Sequence, residues 1–272
     1  MNSLFLLIKY AFLGLVQGIT EPLPISSSGH LVIIEHLLGL HIEGLSFEVL
    51  MNFASLLAIL YAFREDLYRM TLNGWDYVRH QTPSSKADFY LILYVIAGTI
   101  PVGIIGVLFK DQIESFFKGL TVIGFALIIT GAALWMIRNL RGYKAEQQLT
   151  FKDSLLVGLS QAVALIPGIS RSGATIVTSL AIGMNRETAF RFSFLLYLPV
   201  SLGGVIMSWS DLFHTANGSQ LVVPYIVSFI LSMLATYFAL RWFKQIVLNG
   251  KLGYFTLYCL SMGILVILAA QF

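Results

Sequence analysis

PISSSGHLVI, residues 24–33, sets three consecutive serines, a glycine and a histidine in a chain that is otherwise apolar, with Glu21 three residues ahead of Pro24. Of the 272 residues 57% are hydrophobic and 11% charged, where a soluble domain has roughly 45–50% and about 25%. The mean hydropathy is +0.80. The charges bunch into a few loops and leave apolar runs of about 17–25 residues, the length one helix needs to cross a hydrocarbon layer. An all-α integral membrane protein follows, and a soluble helical protein is a weak rival. Polar groups such as these are tolerated at membrane depth only where protein buries them or a polar cavity receives them. The stretch therefore predicts an interruption in the membrane with a function attached. One cysteine, Cys259, excludes an intrachain disulfide and a multi-cysteine metal site. The net charge of +3 reads as loop bias and not as nucleic-acid binding. The N-terminal apolar run leads into the polar motif and not to a small-residue cleavage site, so the first segment is expected to belong to the mature fold.

Outward from that stretch, apolar runs bounded by charge predict six spans, near 47–63, 89–108, 119–137, 188–208, 222–241 and 252–270. Two further apolar regions, about 4–38 and 154–183, are broken in the middle by Pro, Gly and Ser. They are related: Gly14-Leu15-Val16-Gln17 and Gly158-Leu159-Ser160-Gln161 align at an offset of 144, and the same offset superposes Ile25-Ser26-Ser27-Ser28-Gly29 on Ile169-Ser170-Arg171-Ser172-Gly173. A duplication within one membrane domain, 1–272, with halves of about 1–137 and 152–272, is the natural reading. Arg64, Arg69, Arg79 and Lys86, then Arg138, Arg141, Lys144 and Lys152, then Arg241, Lys244 and Lys251 mark cytoplasmic loops. Loops 40–46, 110–118 and 209–221 fit the outer side, with Lys9 a minor objection. Region 4–38 must then start and end outside and 154–183 inside, so each is a re-entrant hairpin. The expected fold is six transmembrane helices plus two re-entrant helical hairpins in an inverted-topology repeat, whose tips meet near the midplane.

At each tip a Ser/Gly run precedes a new helix, which aims backbone N–H groups and hydroxyls at one place and favours an anion. The second tip, IPGISRSGAT, adds Arg171, whose planar fork suits phosphate. The first adds His30 and the carboxylate of Glu21, with Gln17 four residues earlier on the same helical face. Carboxylate, hydroxyls, imidazole and cation together fit phosphoryl chemistry. Each has a plainer reading: Ser26, Ser28, Ser170 and Ser172 as helix glue, Pro24 and Pro167 as breakers, His30 as a helix–helix bonder, Glu21 with Arg171 as an ion pair. Glu48 and Arg191 read better as a structural or rim pair than as catalysts. A transporter or flippase for a phosphate-bearing lipid or anion shares this architecture and is the rival class.

QGITEPLPISSSGH (17–30) resembles the Glu/Gln-x-x-x-Glu segment and following Pro-x-Ser-Ser-x-Gly-His stretch of the undecaprenyl pyrophosphate phosphatases, the bacitracin-resistance proteins of bacteria, and PGISRSGAT (167–175) resembles that family's Pro-Gly-x-Ser-Arg-Ser-x-x-Thr motif. The resemblance implies that Glu21 is the essential carboxylate, that Ser27 and His30 sit at the reacting phosphate, and that Arg171 with Ser170, Ser172 and Thr175 holds the diphosphate. Ser26, Ser28, Gly29 and Gly173 complete the expected diphosphate cradle, and Gln17 with Glu21 the expected metal or acid/base support. It implies a multi-pass protein of the bacterial plasma membrane that hydrolyses undecaprenyl diphosphate among membrane lipids, assisted by Mg²⁺ or Ca²⁺; a homodimer is left open. Gln17 departs from the commoner Glu and puts a metal shared by two carboxylates in doubt. The attacking group, Ser27, His30 or water, stays open. The type 2 phosphatidic-acid phosphatases look superficially similar, but the position six after Arg171 is Val177.

Overall fold

The computed structural model describes residues 3–39, 46–116, 119–208 and 219–271. Among them there is no strand, only a single bridge between Lys144 and Met184. The helices are α1 (Ser3–Thr20), α2 (Ser27–Leu38), α3 (Ser46–Ala62), α4 (Arg64–His80), α5 (Lys86–Phe116), α6 (Leu120–Ile137), α7 (Phe151–Val163), α8 (Arg171–Ala181), α9 (Arg186–Met207), α10 (Ser219–Leu248) and α11 (Gly253–Ala269). Most of the outer-loop stretches 40–46 and 209–221, together with residues 117 and 118, lie outside the described residues.

Among the described residues four helices are long and apolar enough to cross a membrane: Pro83–Phe109, Leu120–Ile137, Arg186–Met207 and Leu221–Leu248. They cover four of the six expected spans. The other two, α3 and α11, are apolar helices of 17 residues each. α3 runs into α4 through a bend of 67° at Phe63, and if the pair is one broken span the number reaches five. The expectation of a plain loop over 64–88 needs correcting, because α4 fills most of it. Glu65 and Asp66 in its first turn and Arg79 and His80 in its last complement the helix dipole. Tyr68, Leu72 and Trp75 recur along one face and are exposed, the arrangement of a helix that rests in a membrane interface.

Both broken regions are helix–turn–helix units. Region 4–38 is α1, a turn over 21–26 and α2; region 154–183 is the end of α7, a turn over 164–170 and α8. The breaks fall where Pro24 and Pro167 deny the backbone a donor, and Gly168 turns the second with φ 91°. The new helices are capped alike: Ser26 Oγ accepts from Gly29 N at 3.3 Å and Ser170 Oγ from Gly173 N at 3.1 Å.

Packing rests on close backbone approach. α1 lies against α10, where a Cβ on Gly14 would stand 2.5 Å from Ser228 O and one on Gly18 2.3 Å from Ser232 O. Such small-xxx-small spacing lets membrane helices touch along their backbones. α7 lies against α5 in the same way, with Gly158 on the Gly98 carbonyl. α6 pairs with α11, and α3 with α9 at the centre. Around that centre Leu56, Ile59, Phe192, Phe194, Leu196 and Phe243 are buried in one cluster. At one end of the bundle Arg191, which the sequence reading set with Glu48 as a structural or rim pair, is gripped by Glu146 and lies 3.0 Å from Asp66, tying α9 to α4 and to the 138–150 connection.

Candidate active site

The two turns meet. A Cβ on Gly29 would lie 3.4 Å from Gly168 Cα in the second turn, and one on Gly173 would lie 3.4 Å from Pro24 Cβ in the first. The Leu23 carbonyl, which takes the Ile25 N–H within its own turn at 2.8 Å, also accepts from Ser172 Oγ at 3.0 Å and from Ser170 Oγ at 3.3 Å. Two of the serines expected to face diphosphate therefore tie the turns together, which is the plainer of the two readings open to them. Thr175 bonds back along its own helix to the carbonyls of Arg171 and Ser172.

Beside this junction is a small cavity lined by Glu21, Arg171, Ser172, Thr175, Ser193, Phe194 and Tyr197. The Glu21 side chain is 4% exposed. Its Oε2 accepts from the Ser27 hydroxyl and from Gln17 Nε2, the latter at 3.0 Å. Its Oε1 is 3.9 Å from Arg171 Nη2, beyond hydrogen-bond reach, so the guanidinium neutralises Glu21 without being consumed by it. Arg171 is aimed by other groups: Nη1 donates to Ser201 Oγ at 2.8 Å and the guanidinium carbon lies 5.0 Å from the Tyr197 ring centre. Arg171 is also one of the residues that line the cavity.

His30 is held at both ring nitrogens. Nδ1 lies 2.8 Å from the Ser26 carbonyl, which can only accept, so Nδ1 carries the proton. In the neutral ring Nε2 is then an acceptor, and the Tyr258 hydroxyl donates a hydrogen bond to it at 2.6 Å, the two rings being stacked at 5.6 Å. This clamps the first turn to α11. Ser26, the residue so clamped, has φ 67° and ψ 96°; strained backbone of this kind, worth about 1–3 kcal/mol, collects at functional sites. Ser28 lies half-buried on the first turn of α2.

Gln17 is fully buried. A carboxylate only accepts, so the end of the Gln17 amide facing Glu21 is the NH₂. The same nitrogen donates to Asn52 Oδ1 on α3 at 2.8 Å. Gln17 Oε1 is left without a partner, which costs roughly 1–3 kcal/mol. The divalent cation implied by the resemblance finds a poor donor set here: among the described residues no three His, Cys, Asp or Glu side chains converge, and the point between Glu21 and Asn52 is filled by an amide nitrogen. The residues present do not fit a resident cation at positions 17 and 21.

The structure brings Glu21, Ser27 and Arg171 together and places His30 on the same turn; beside them stand Asn52, Tyr197, Ser201 and Tyr258, which the sequence reading did not name. Asn52 and Ser201 are polar residues inside apolar runs, a usable signal; the tyrosines carry none by themselves.

Comparison with known proteins adds independent observations. The model of the bacitracin resistance protein BacA family matches residues 10–265. Undecaprenyl-diphosphatase 2 of Bacillus thuringiensis is 54% identical over 268 residues, 98% of this chain and 99% of the relative. Undecaprenyl-diphosphatase 1 of Bacillus licheniformis is 54% identical over 265 residues, 97% and 98% of the two chains. Undecaprenyl-diphosphatase of Oceanobacillus iheyensis is 52% identical over 269 residues, 98% of each. With its long apolar helices the chain is a multi-pass bacterial membrane protein, and across nearly its whole length it belongs to the bacitracin resistance protein BacA family.

Proposed function

We propose that this chain hydrolyses undecaprenyl diphosphate to undecaprenyl phosphate and inorganic phosphate, returning the lipid carrier to cell-wall polysaccharide synthesis. The observation that carries the reading is the Ser27 hydroxyl donated to Glu21 beside Arg171, in a chain 52–54% identical to undecaprenyl-diphosphatases. An anion carrier gains nothing from a buried carboxylate next to its anion, whereas a hydrolase gains a base.

In the mechanism the diphosphate docks against Arg171 and the N-termini of α2 and α8, whose dipoles favour negative charge. Ser27 Oγ attacks the terminal phosphorus while Glu21 takes the hydroxyl proton. The phosphoanhydride bond breaks and undecaprenyl phosphate leaves. The proton held by Glu21 passes to the departing undecaprenyl phosphate, so the carboxylate can take a proton from water as it attacks the phosphoserine and return it to Ser27 Oγ as phosphate is released. Arg171 balances charge on the transferring group, and His30 holds the strained turn that presents Ser27. A divalent cation, on this reading, enters only as a counter-ion of the diphosphate itself. Every residue named comes from one chain, so a homodimer is not needed for the chemistry.

The finer topology belongs to the same proposal: six transmembrane helices and two re-entrant hairpins, α1–α2 and α7–α8, in an inverted repeat with halves near 1–137 and 152–272. Three features support it. The tip contacts exchange under the 144-residue offset, Gly29 with Gly168 becoming Gly173 with Pro24. The caps Ser26 and Ser170 correspond. The pairing of α1 with α10 is matched by that of α7 with α5, while α3–α9 and α6–α11 pair across the repeat axis. The test of function is phosphate release from undecaprenyl diphosphate by the purified protein in detergent, where no two compartments exist. Steady release supports a hydrolase; none, with the lipid bound, favours a carrier.

A further inference from the structure

Gln17 is itself fully buried, and its Nε2 stands 3.0 Å from a carboxylate oxygen and 2.8 Å from an amide oxygen. Two oxygens, one from the turn after α1 and one from α3, that face the same buried amide nitrogen are a demand for positive charge there, and either a metal ion or an N–H donor can meet it. The glutamine meets it at the expense of its own Oε1, which finds no partner. We infer that Gln17 holds in this chain the place a divalent cation would take between Glu21 and Asn52, so that the substrate-free protein carries no resident cation and Asn52 is a positioning residue for the Gln17–Glu21 pair. A glutamate at position 17 would remove both donors and set two carboxylates and the Asn52 oxygen around the same point. Buried carboxylates at such spacing cannot both stay ionised without a proton or a cation between them. The equivalent Gln161 of the second hairpin, where Leu165 stands in place of Glu21, is equally buried with neither amide atom hydrogen-bonded, so the paired donors of Gln17 follow from the carboxylate and not from glutamine at this depth.

The test is Mn²⁺ alone, titrated into the full-length protein in detergent without substrate and followed by loss of the free-ion EPR signal. The wild type is expected to bind none at this site, and Gln17→Glu to gain one Mn²⁺ per chain, with a melting temperature that rises as Mn²⁺ is added. A Gln17→Glu protein that stays folded only in Mn²⁺ is the same gain seen as stability. One Mn²⁺ per wild-type chain, weakened tenfold or more by Asn52→Ala, would overturn the inference, as would a folded Gln17→Glu that binds none. The wild-type titration decides even where the variant fails to fold. Phosphate release is measured separately, so loss of this inference leaves the hydrolase reading standing, and absence of turnover rejects that reading alone.

Discussion

Replacing Arg171 by Lys keeps the charge and removes the geometry. Arg171 is aimed by Ser201 at 2.8 Å and by the Tyr197 ring at 5.0 Å, and it stands 3.9 Å from Glu21. A lysine ammonium can reach one of these partners at a time and offers a point charge where the guanidinium offers a plane of donors. If the plane orients the diphosphate for in-line attack, a displacement of about 1 Å costs on the order of 100-fold in rate, or about 2.7 kcal/mol of barrier. The loss should appear in kcat as well as in KM, because the clamp tightens on the transferring phosphoryl group. Ser201→Ala, which frees one guanidinium nitrogen and leaves the others, should lower kcat by roughly tenfold, in line with one charge-assisted hydrogen bond of about 1.5 kcal/mol. The assay is steady-state phosphate release from a short-chain soluble isoprenyl diphosphate. An Arg171→Lys enzyme within a few-fold of the parent in both constants would mean that Arg171 only balances Glu21, and the orienting role would be lost.

Other expectations follow from single contacts. Gly18→Leu drives a side chain into the Ser232 carbonyl and should destabilise the α1–α10 pair by about 3 kcal/mol, read as a lower melting temperature in detergent; an unchanged melting temperature would deny the close approach. Tyr258→Phe leaves His30 Nε2 without a donor and should cost about 1–3 kcal/mol of stability, with turnover falling far less than in Ser27→Ala; equal losses of turnover would put Tyr258 on the substrate. For topology, with Cys259 replaced, a cysteine at Gln271 should react with an impermeant thiol reagent from outside the cell and one at Gln148 should not, and equal labelling would dismantle the inverted repeat.

The two helix–turn–helix breaks were legible in sequence because membrane helices advertise their interruptions: Pro24, Pro167 and the serines after them have no place in a simple span. The site's charged members were legible for a related reason, since Glu21 and Arg171 are too expensive at that depth to be idle. What the sequence could not yield is which neighbour each group chooses. Ser170 and Ser172 had equal claims on a phosphate and on the other turn, and only the position of the Leu23 carbonyl decides. His30 looked free to meet substrate until Tyr258, 228 residues away, closed its second nitrogen. Gln17 announced a missing charge but not its replacement, which depended on Asn52 arriving from α3. α4 was hidden because its charges mimic a loop; its apolar residues recur at helical spacing but on a narrow face.

The central claim is that Glu21 activates Ser27 as the nucleophile, and the most direct measurement is acid-quenched transfer of labelled terminal phosphate from isoprenyl diphosphate to the protein. A phosphoenzyme mapped to Ser27 is expected, absent in Ser27→Ala, and formed about 10²–10⁴-fold more slowly in Glu21→Gln at unchanged expression. Full turnover in Ser27→Ala, or label recovered on His30, would contradict it.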